Sequence, residues 1–432
     1  MSLPRFTSSR ALVVAAVAAL AVMPAAASAA MINGSNTANK LIGTPRADRI
    51  NAQGGSDTVK ARGGNDTLNG GPGNDKLYGE GGADTFSDTS GDDLHVGGAG
   101  NDKFSDARGN DTMKGGGGTD RISSGPGRDL LTGDAGNDFL NGGDGDDRLD
   151  GGVGNDRLTA STGADTVLGG AGNDYADAGP DNDVVDGGAG VDTLYGQAGN
   201  DVIHAGPGDD RGARRGNAST DFETRVHGGT GNDRLYGDAG NDSMGGMGGD
   251  DMLDGGTGED QLMGGAGTDR LFGGDGRDEL DGEAGDDILD AGPGDDSCPG
   301  MSKDYVAQPS VCDLNITGDE GDDIIYPGSG VDNVFGEQGY DTIVVTNDGA
   351  YDRLYCVDGA SEPNLPPTGG RLLAMGSLDP LDDPRRCEVD VIETREEAIA
   401  KNVAVLWDHA VGVSTRTSAR AELWAARHAS LG

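Results

Sequence analysis

Gly264-Gly265-Ala266-Gly267-Thr268-Asp269-Arg270-Leu271 decides the fold, because the chain repeats this pattern in frame over most of its length. Gly169-Gly170-Ala171-Gly172-Asn173-Asp174 is a second complete copy. The aspartate returns every nine residues from Asp102 to Asp210 and again from Asp233 to Asp296. A shorter run from Asp48 to Asp84 precedes these, and Asp323, Asp332 and Asp341 follow. Glycines stand just before each aspartate, and an aliphatic residue usually lies two places after it. A fixed short period is the signature of a stacked repeat architecture, in which each unit buries its apolar face only against its neighbours.

The unit is Gly-Gly-x-Gly-x-Asp-x-U-x, with U aliphatic. Repeated glycines imply positive φ and close backbone approach, so the first six residues form a turn with inward carbonyls. The last three form a minimal strand with U facing the interior and its neighbours facing solvent. Turn, strand, turn, strand then closes one coil of 18 residues, and successive coils stack in parallel about 4.8 Å apart. The aspartates fall into two rows, one along each edge, each facing its own kind at about one strand spacing. Like charges that close need a cation between them. Calcium takes six to eight oxygens from carboxylates and carbonyls together, whereas magnesium holds its water in a stricter octahedron.

Composition supports the same conclusion. The 432 residues include 81 glycines, 34% hydrophobic and 4% aromatic residues, and 32 basic against 75 acidic side chains, a net charge of −43. Such a chain does not collapse unaided. A core one side chain wide cannot offset the entropy of ordering so many glycines, so metal binding coupled to folding has to supply the difference. The acidity argues against nucleic acid, which needs a basic face, and against anionic membrane surfaces.

These residues resemble the RTX, or hemolysin-type, calcium-binding repeat over roughly residues 43–347. Units with all three glycines end at Asp75, Asp102, Asp120, Asp147, Asp156, Asp174, Asp192, Asp233, Asp260, Asp269 and Asp278. The resemblance implies an all-β parallel β-roll that binds several calcium ions. By the same analogy the side-chain ligands are Asp75, Asp84, Asp102, Asp120, Asp129, Asp138, Asp147, Asp156, Asp174, Asp192, Asp201, Asp210, Asp233, Asp242, Asp251, Asp260, Asp269, Asp278, Asp287 and Asp296. The weaker units at Asp57, Asp66, Asp111, Asp165 and Asp183 stand outside this set.

Along the chain, residues 1–30 read as a secretory signal peptide: Arg5 and Arg10, an apolar run from Ala11 to Val22, then Ala27-Ser28-Ala29. The rival reading is an uncleaved membrane anchor. Residues 31–42 are a polar leader, and 43–210 the first roll block. From Asp210 to Asp233 the spacing breaks, so 211–227 is expected to loop out, carrying Arg211, Arg214, Arg215 and Arg225 as a binding patch or a solvated loop. The second block spans 228–347. Inside it, 297–315 reads as degenerate coils that keep frame through Cys298, Ala307, Ile316 and Ile325, stapled by Cys298–Cys312. Residues 348–392 form a cap with Cys356–Cys387 as the second pair, and 393–432 a helical or frayed tail. The cysteine spacings favour disulfides in an exported protein over a zinc site, which prefers close pairs with nearby histidines. Leu365-Pro366-Pro367-Thr368-Gly369 matches a sortase signal, but the residues after it include no apolar run, so it reads as a proline loop.

No HExxH or GxSxG occurs, and His95, His204, His227, His409 and His428 are scattered. The expectation is a secreted, non-enzymatic calcium-binding rod acting as extracellular scaffold, surface-layer or adhesion component, with a cell-surface glycan or matrix as partner. The alternative is a polysaccharide-modifying or other hydrolytic enzyme with an unrecognised active site, to which pairs such as Asp92-Asp93 and Asp286-Asp287 would belong.

Overall fold

A computed structural model describes residues 29–106, 108–210, 224–294, 296, 316–328, 332–336, 341–346, 353–355, 371–375, 383–385 and 388–392. Strand follows strand, with no helix among the described residues. Each strand pairs in parallel with the next but one, so alternate strands build two facing sheets. On one sheet Phe139–Asp144 pairs with Arg157–Thr162, and that strand with Tyr175–Pro180. On the other, Arg148–Val153 pairs with Thr166–Ala171, and that with Val184–Ala189. Leu149 faces Val167 and Leu140 faces Leu158, a register of 18 residues. The expected all-β parallel β-roll of two-nonapeptide coils is the observed architecture.

The interior is two columns of U residues. Ile122, Leu140, Leu158 and Leu194 lie on one sheet, and Leu131, Leu149, Val167 and Val185 on the other, all buried. The flanking strand residues alternate toward solvent, as in the pattern of Arg148–Val153. Strands are longer than the three residues expected, running on through the glycine pair. Asp150 pairs with Leu168 and Gly152 with Gly170, while Gly151 is left out of the ladder. The true turn is therefore confined to the three residues ending in aspartate.

The stack begins earlier than the sequence suggests. Met31–Ser35 and Lys40–Ile42, placed in a polar leader, pair with Arg49–Gln53 and Thr58–Lys60. Ile32 and Leu41 pack against the core in the U places. Asn39 takes the place of the aspartate, its N–H donating to Asp57 Oδ1 at 2.5 Å.

Both interruptions prove to be excursions between two coils that touch directly. Asp201 N–H donates to Asp233 Oδ1 across 32 residues, where 18 is the rule, an excess of 14. Asp210 and Arg225 both remain in register: Asp192 N–H donates to Asp210 Oδ1, and Leu194 N–H to Arg225 O at 2.7 Å. The excess is thus residues 211–224. Arg225, Val226 and His227, expected in the loop, belong to the roll, with Val226 fully buried. Likewise Asp296 N–H donates to Asp332 Oδ1 across 36 residues, and Leu280 pairs directly with Ile316. Ile316 and Ile325 are core residues as expected, but no degenerate coil separates Leu280 from Ile316. The inserted length happens to equal one coil, which preserves the period without preserving the stack.

In the segment expected to be a cap, Arg371–Met375 pairs with Thr342–Thr346 and Glu388–Ile392 with Arg371–Met375, extending one sheet. The four cysteines, the Leu365–Gly369 motif, the tail 393–432 and the expected signal peptide up to residue 28 lie outside the described residues.

Deleting residues 211–224 would join Asp210 to Arg225 and restore the nine-residue spacing. The expected outcome is an unchanged circular dichroism spectrum with calcium and a stability change below about 1 kcal/mol, since shortening the connection between two coils already in register costs little. Loss of the β signal would show instead that the stack depends on the excursion.

Candidate metal centre

Every aspartate of the predicted ligand set is buried, none more than 3% exposed. They fall into the two expected rows. Asp84, Asp102, Asp120, Asp138, Asp156, Asp174, Asp192, Asp210, Asp242, Asp260, Asp278 and Asp296 stack along one edge, and Asp75, Asp129, Asp147, Asp201, Asp233, Asp251, Asp269 and Asp287 along the other. Asp57, Asp93, Asp111, Asp165 and Asp183 continue the second row with the same bonding. Asp93 is a member that the reading of the nine-residue run passed over.

The typical carboxylate of these rows is half used. Asp174 N–H donates to Asp192 Oδ1 at 2.8 Å, and Asp174 Oδ1 accepts from Asp156 N–H at 2.7 Å. Asp174 Oδ2 is buried and meets no protein donor, and the same holds for Asp120, Asp138, Asp156 and Asp192. A second ladder runs the other way at the exposed residue before the aspartate. Asn155 Oδ1 accepts from Asn173 N–H and Asn173 Oδ1 from Val191 N–H, which explains why asparagine or aspartate recurs there.

The first glycine of each unit leaves room for the unused oxygen. A Cβ at Gly264 would lie 2.6 Å from Asp269 Oδ2 and 2.8 Å from the Gly282 carbonyl oxygen of the next coil. At Gly151 the corresponding values are 2.6 Å to Asp156 Oδ2 and 2.5 Å to Gly169 O. A carboxylate and a carbonyl oxygen thus converge on a slot without a side chain. Ala160 and Ala178 fill it in the units of Asp165 and Asp183, and Ala205 and Ala291 do so at Asp210 and Asp296 of the predicted set. Ser124 fills it at Asp129, donating through Oγ to Gly142 O at 2.6 Å.

The electrostatics are those of a metal-free cation site. Burial, with the neighbouring charges of Asp192 and Asp156, pushes Asp174 up to about 7. Burial likewise drives Asp138, Asp147, Asp201 and Asp251 to about 7 and Asp183 and Asp242 to about 8. Arg225, brought in where the first excursion ends, opposes this at Asp210. Unprotonated, these oxygens are uncompensated; a cation that accepts oxygen donors alone satisfies them.

Fold and site together define a parallel β-solenoid whose edges are built from oxygen donors for hard divalent cations. The chain belongs to the family described as RTX calcium-binding nonapeptide repeat (4 copies), which matches residues 33–211, 227–298 and 315–343, more than half of its length. The two internal unmatched intervals, 212–226 and 299–314, overlap the two excursions. Repeats of this family bind multiple calcium ions, and the all-oxygen, half-used donor rows fit that ion. No curated protein matches the chain.

Reading the sequence missed one group. His95, counted among scattered histidines, occupies a U position, fully buried between Leu77 and Met113. Asp88 and Asp106 stand where other units carry the first glycine. Stacking the sequence in columns of 18 would have revealed the coincidence; a period of nine conceals it.

Proposed function

We propose that the protein is a secreted calcium-dependent rod that serves as an extracellular scaffold or adhesion component. The observation that supports this reading is the pair of edge-long rows of buried, half-used carboxylates. A chain so built stays unfolded where calcium is scarce and folds where it is millimolar. RTX proteins are typically extracellular, and no helix among the described residues is long and apolar enough to cross a membrane. The signal sequence read in residues 1–30 accords with export. Within the proposed ligand rows, units with glycine in the first place are the principal calcium positions.

A glycan or matrix polymer is the partner this reading favours, because the outer face carries a strip suited to it. Arg121, Phe139, Arg157 and Tyr175 stack in one column, with Arg121 over the Phe139 ring at 4.6 Å and Arg157 over the Tyr175 ring at 4.0 Å. Tyr195 and His227 continue the aromatic surface, their rings 4.7 Å apart. Flat rings flanked by guanidinium groups suit sugar faces and acidic substituents. No catalytic role is proposed.

Immobilised acidic polysaccharide should retain the calcium-loaded protein, and a Phe139→Ala, Arg157→Ala double variant should bind at least about tenfold more weakly with its fold unchanged. Equal retention of variant and parent would refute the strip as the contact. Release of reducing ends from the polysaccharide would overturn the non-catalytic reading.

A further inference from the structure

Along one edge, four successive coils carry Gly70, Asp88, Asp106 and Ser124 at the first position of the unit, and Asp88 and Asp106 push two extra carboxylates into the interior. Beside them His95 replaces the aliphatic core residue. Its side chain is 0% exposed, and neither ring nitrogen makes a hydrogen bond. Phe86 and Phe104 of the facing sheet stack with it at centroid distances of 5.7 and 6.4 Å, holding the ring in one plane.

Three unused donor atoms meet there. His95 Nε2 lies 3.6 Å from Asp88 Oδ2. Asp88 Oδ1 is already engaged by Thr89 N–H and Asp93 Oδ1 by Asp75 N–H, so the Oδ2 atom of each remains for another partner. Ligand atoms of Asp88, Asp93 and His95 all lie within 4.8 Å of one another. On the other side of the ring, Nδ1 faces Asp106 Oδ2 at 3.9 Å. A leucine in place of His95 and a glycine in place of Asp88 would meet the demands of the roll, as the neighbouring coils do. Three departures from the repeat converging on one buried point call for a ligand that the ordinary units do not take.

We propose that His95, Asp88 and Asp93 form an interior site for a divalent transition-metal ion of the zinc class, with Asp106 orienting the imidazole. The chemistry separates this site from the calcium rows. Calcium takes oxygen donors, whereas an imidazole with two carboxylates is a zinc-type set. A carboxylate facing the far nitrogen fixes the tautomer that presents Nε2 to the metal, a recurrent arrangement around metal-bound histidine. The aromatic pair and the adjoining core confine the site to the folded stack, and a water molecule supplies the fourth ligand that a tetrahedral ion requires.

The test uses the full chain in saturating calcium, with circular dichroism confirming the β-rich state. Zinc is titrated against a chromophoric chelator, and cobalt(II) is added separately to read its visible ligand-field bands. The parent should bind one zinc more tightly than His95→Leu and Asp88→Gly, with affinity falling by at least about a hundredfold in each, while both variants keep the calcium-induced spectrum. Cobalt should give tetrahedral-type absorption in the parent alone. No zinc binding by the calcium-loaded parent, or equal binding by both folded variants, would overturn the site. A parent that stays unfolded in calcium would instead refute the calcium-folding reading, and the two failures are told apart by the spectrum.

Discussion

Gly172→Val is expected to collapse the middle of the roll even with calcium saturating. Gly172 has φ +138°, and a Cβ there would fall on the carbonyl oxygen of Gly154 in the preceding coil. Its own N–H donates to Ala189 O at 2.8 Å, so the backbone is held from the following coil as well. A β-branched residue at positive φ adds strain of about 1–3 kcal/mol to that overlap. Because each coil contacts only its neighbours, the damage stays local in contact but divides the stack in two. The expected reading is a thermal midpoint lowered by well over 10 °C and loss of calcium equivalents at the flanking coils. Ala171→Val, one residue away, is the control. Ala171 is exposed, and the equivalent residue of the preceding coil is already valine, Val153. The control should melt like the parent, and a parent-like Gly172→Val would mean that the coils are not in van der Waals register.

Acid should substitute in part for calcium. In the metal-free roll Asp102, Asp138, Asp174 and Asp201 are raised by burial to about 7, and Asp183 and Asp242 to about 8. In the unfolded chain an aspartate titrates near 3.9. Raised folded-state values mean that the roll binds more protons than the unfolded chain through this interval. Their stabilising contribution is complete below about pH 4 and is lost as pH rises through about 7 to 8. In the presence of a chelator, the β signal should therefore be minimal at pH 8 and grow steadily on acidification to pH 5. A protonated Oδ2 can donate to the carbonyl that shares its slot, which gives the proton a structural place. A chelated protein whose spectrum is the same from pH 8 to pH 5 would contradict the buried, uncompensated state of these carboxylates.

Much of this was legible in the sequence because the period is strict. The aspartate rows, the U columns and the parallel stacking follow from a nine-residue unit that can be neither helix nor ordinary hairpin. What was hidden involved residues that obey geometry without obeying the motif. Ile32, Leu41 and Asn39 complete a first coil that keeps only the first glycine of each unit, Gly34 and Gly43, and lacks the other glycines of the motif. The 18-residue excess before Ile316 kept the arithmetic in phase, and only strand pairing distinguishes an insertion from a coil. The strand's extension through the glycine pair depends on backbone pairing that side-chain pattern does not encode. His95 and Asp88 lie seven residues apart, a spacing without meaning until one coil is wrapped over the next.

The coupling of calcium to folding is the central claim, and far-UV circular dichroism of the full chain at pH 7.5 tests it most directly. The account predicts a disordered spectrum in EGTA that converts cooperatively to a β-rich one on adding millimolar calcium, and reverts on chelation. A β-rich spectrum in EGTA, unchanged by calcium, would contradict it.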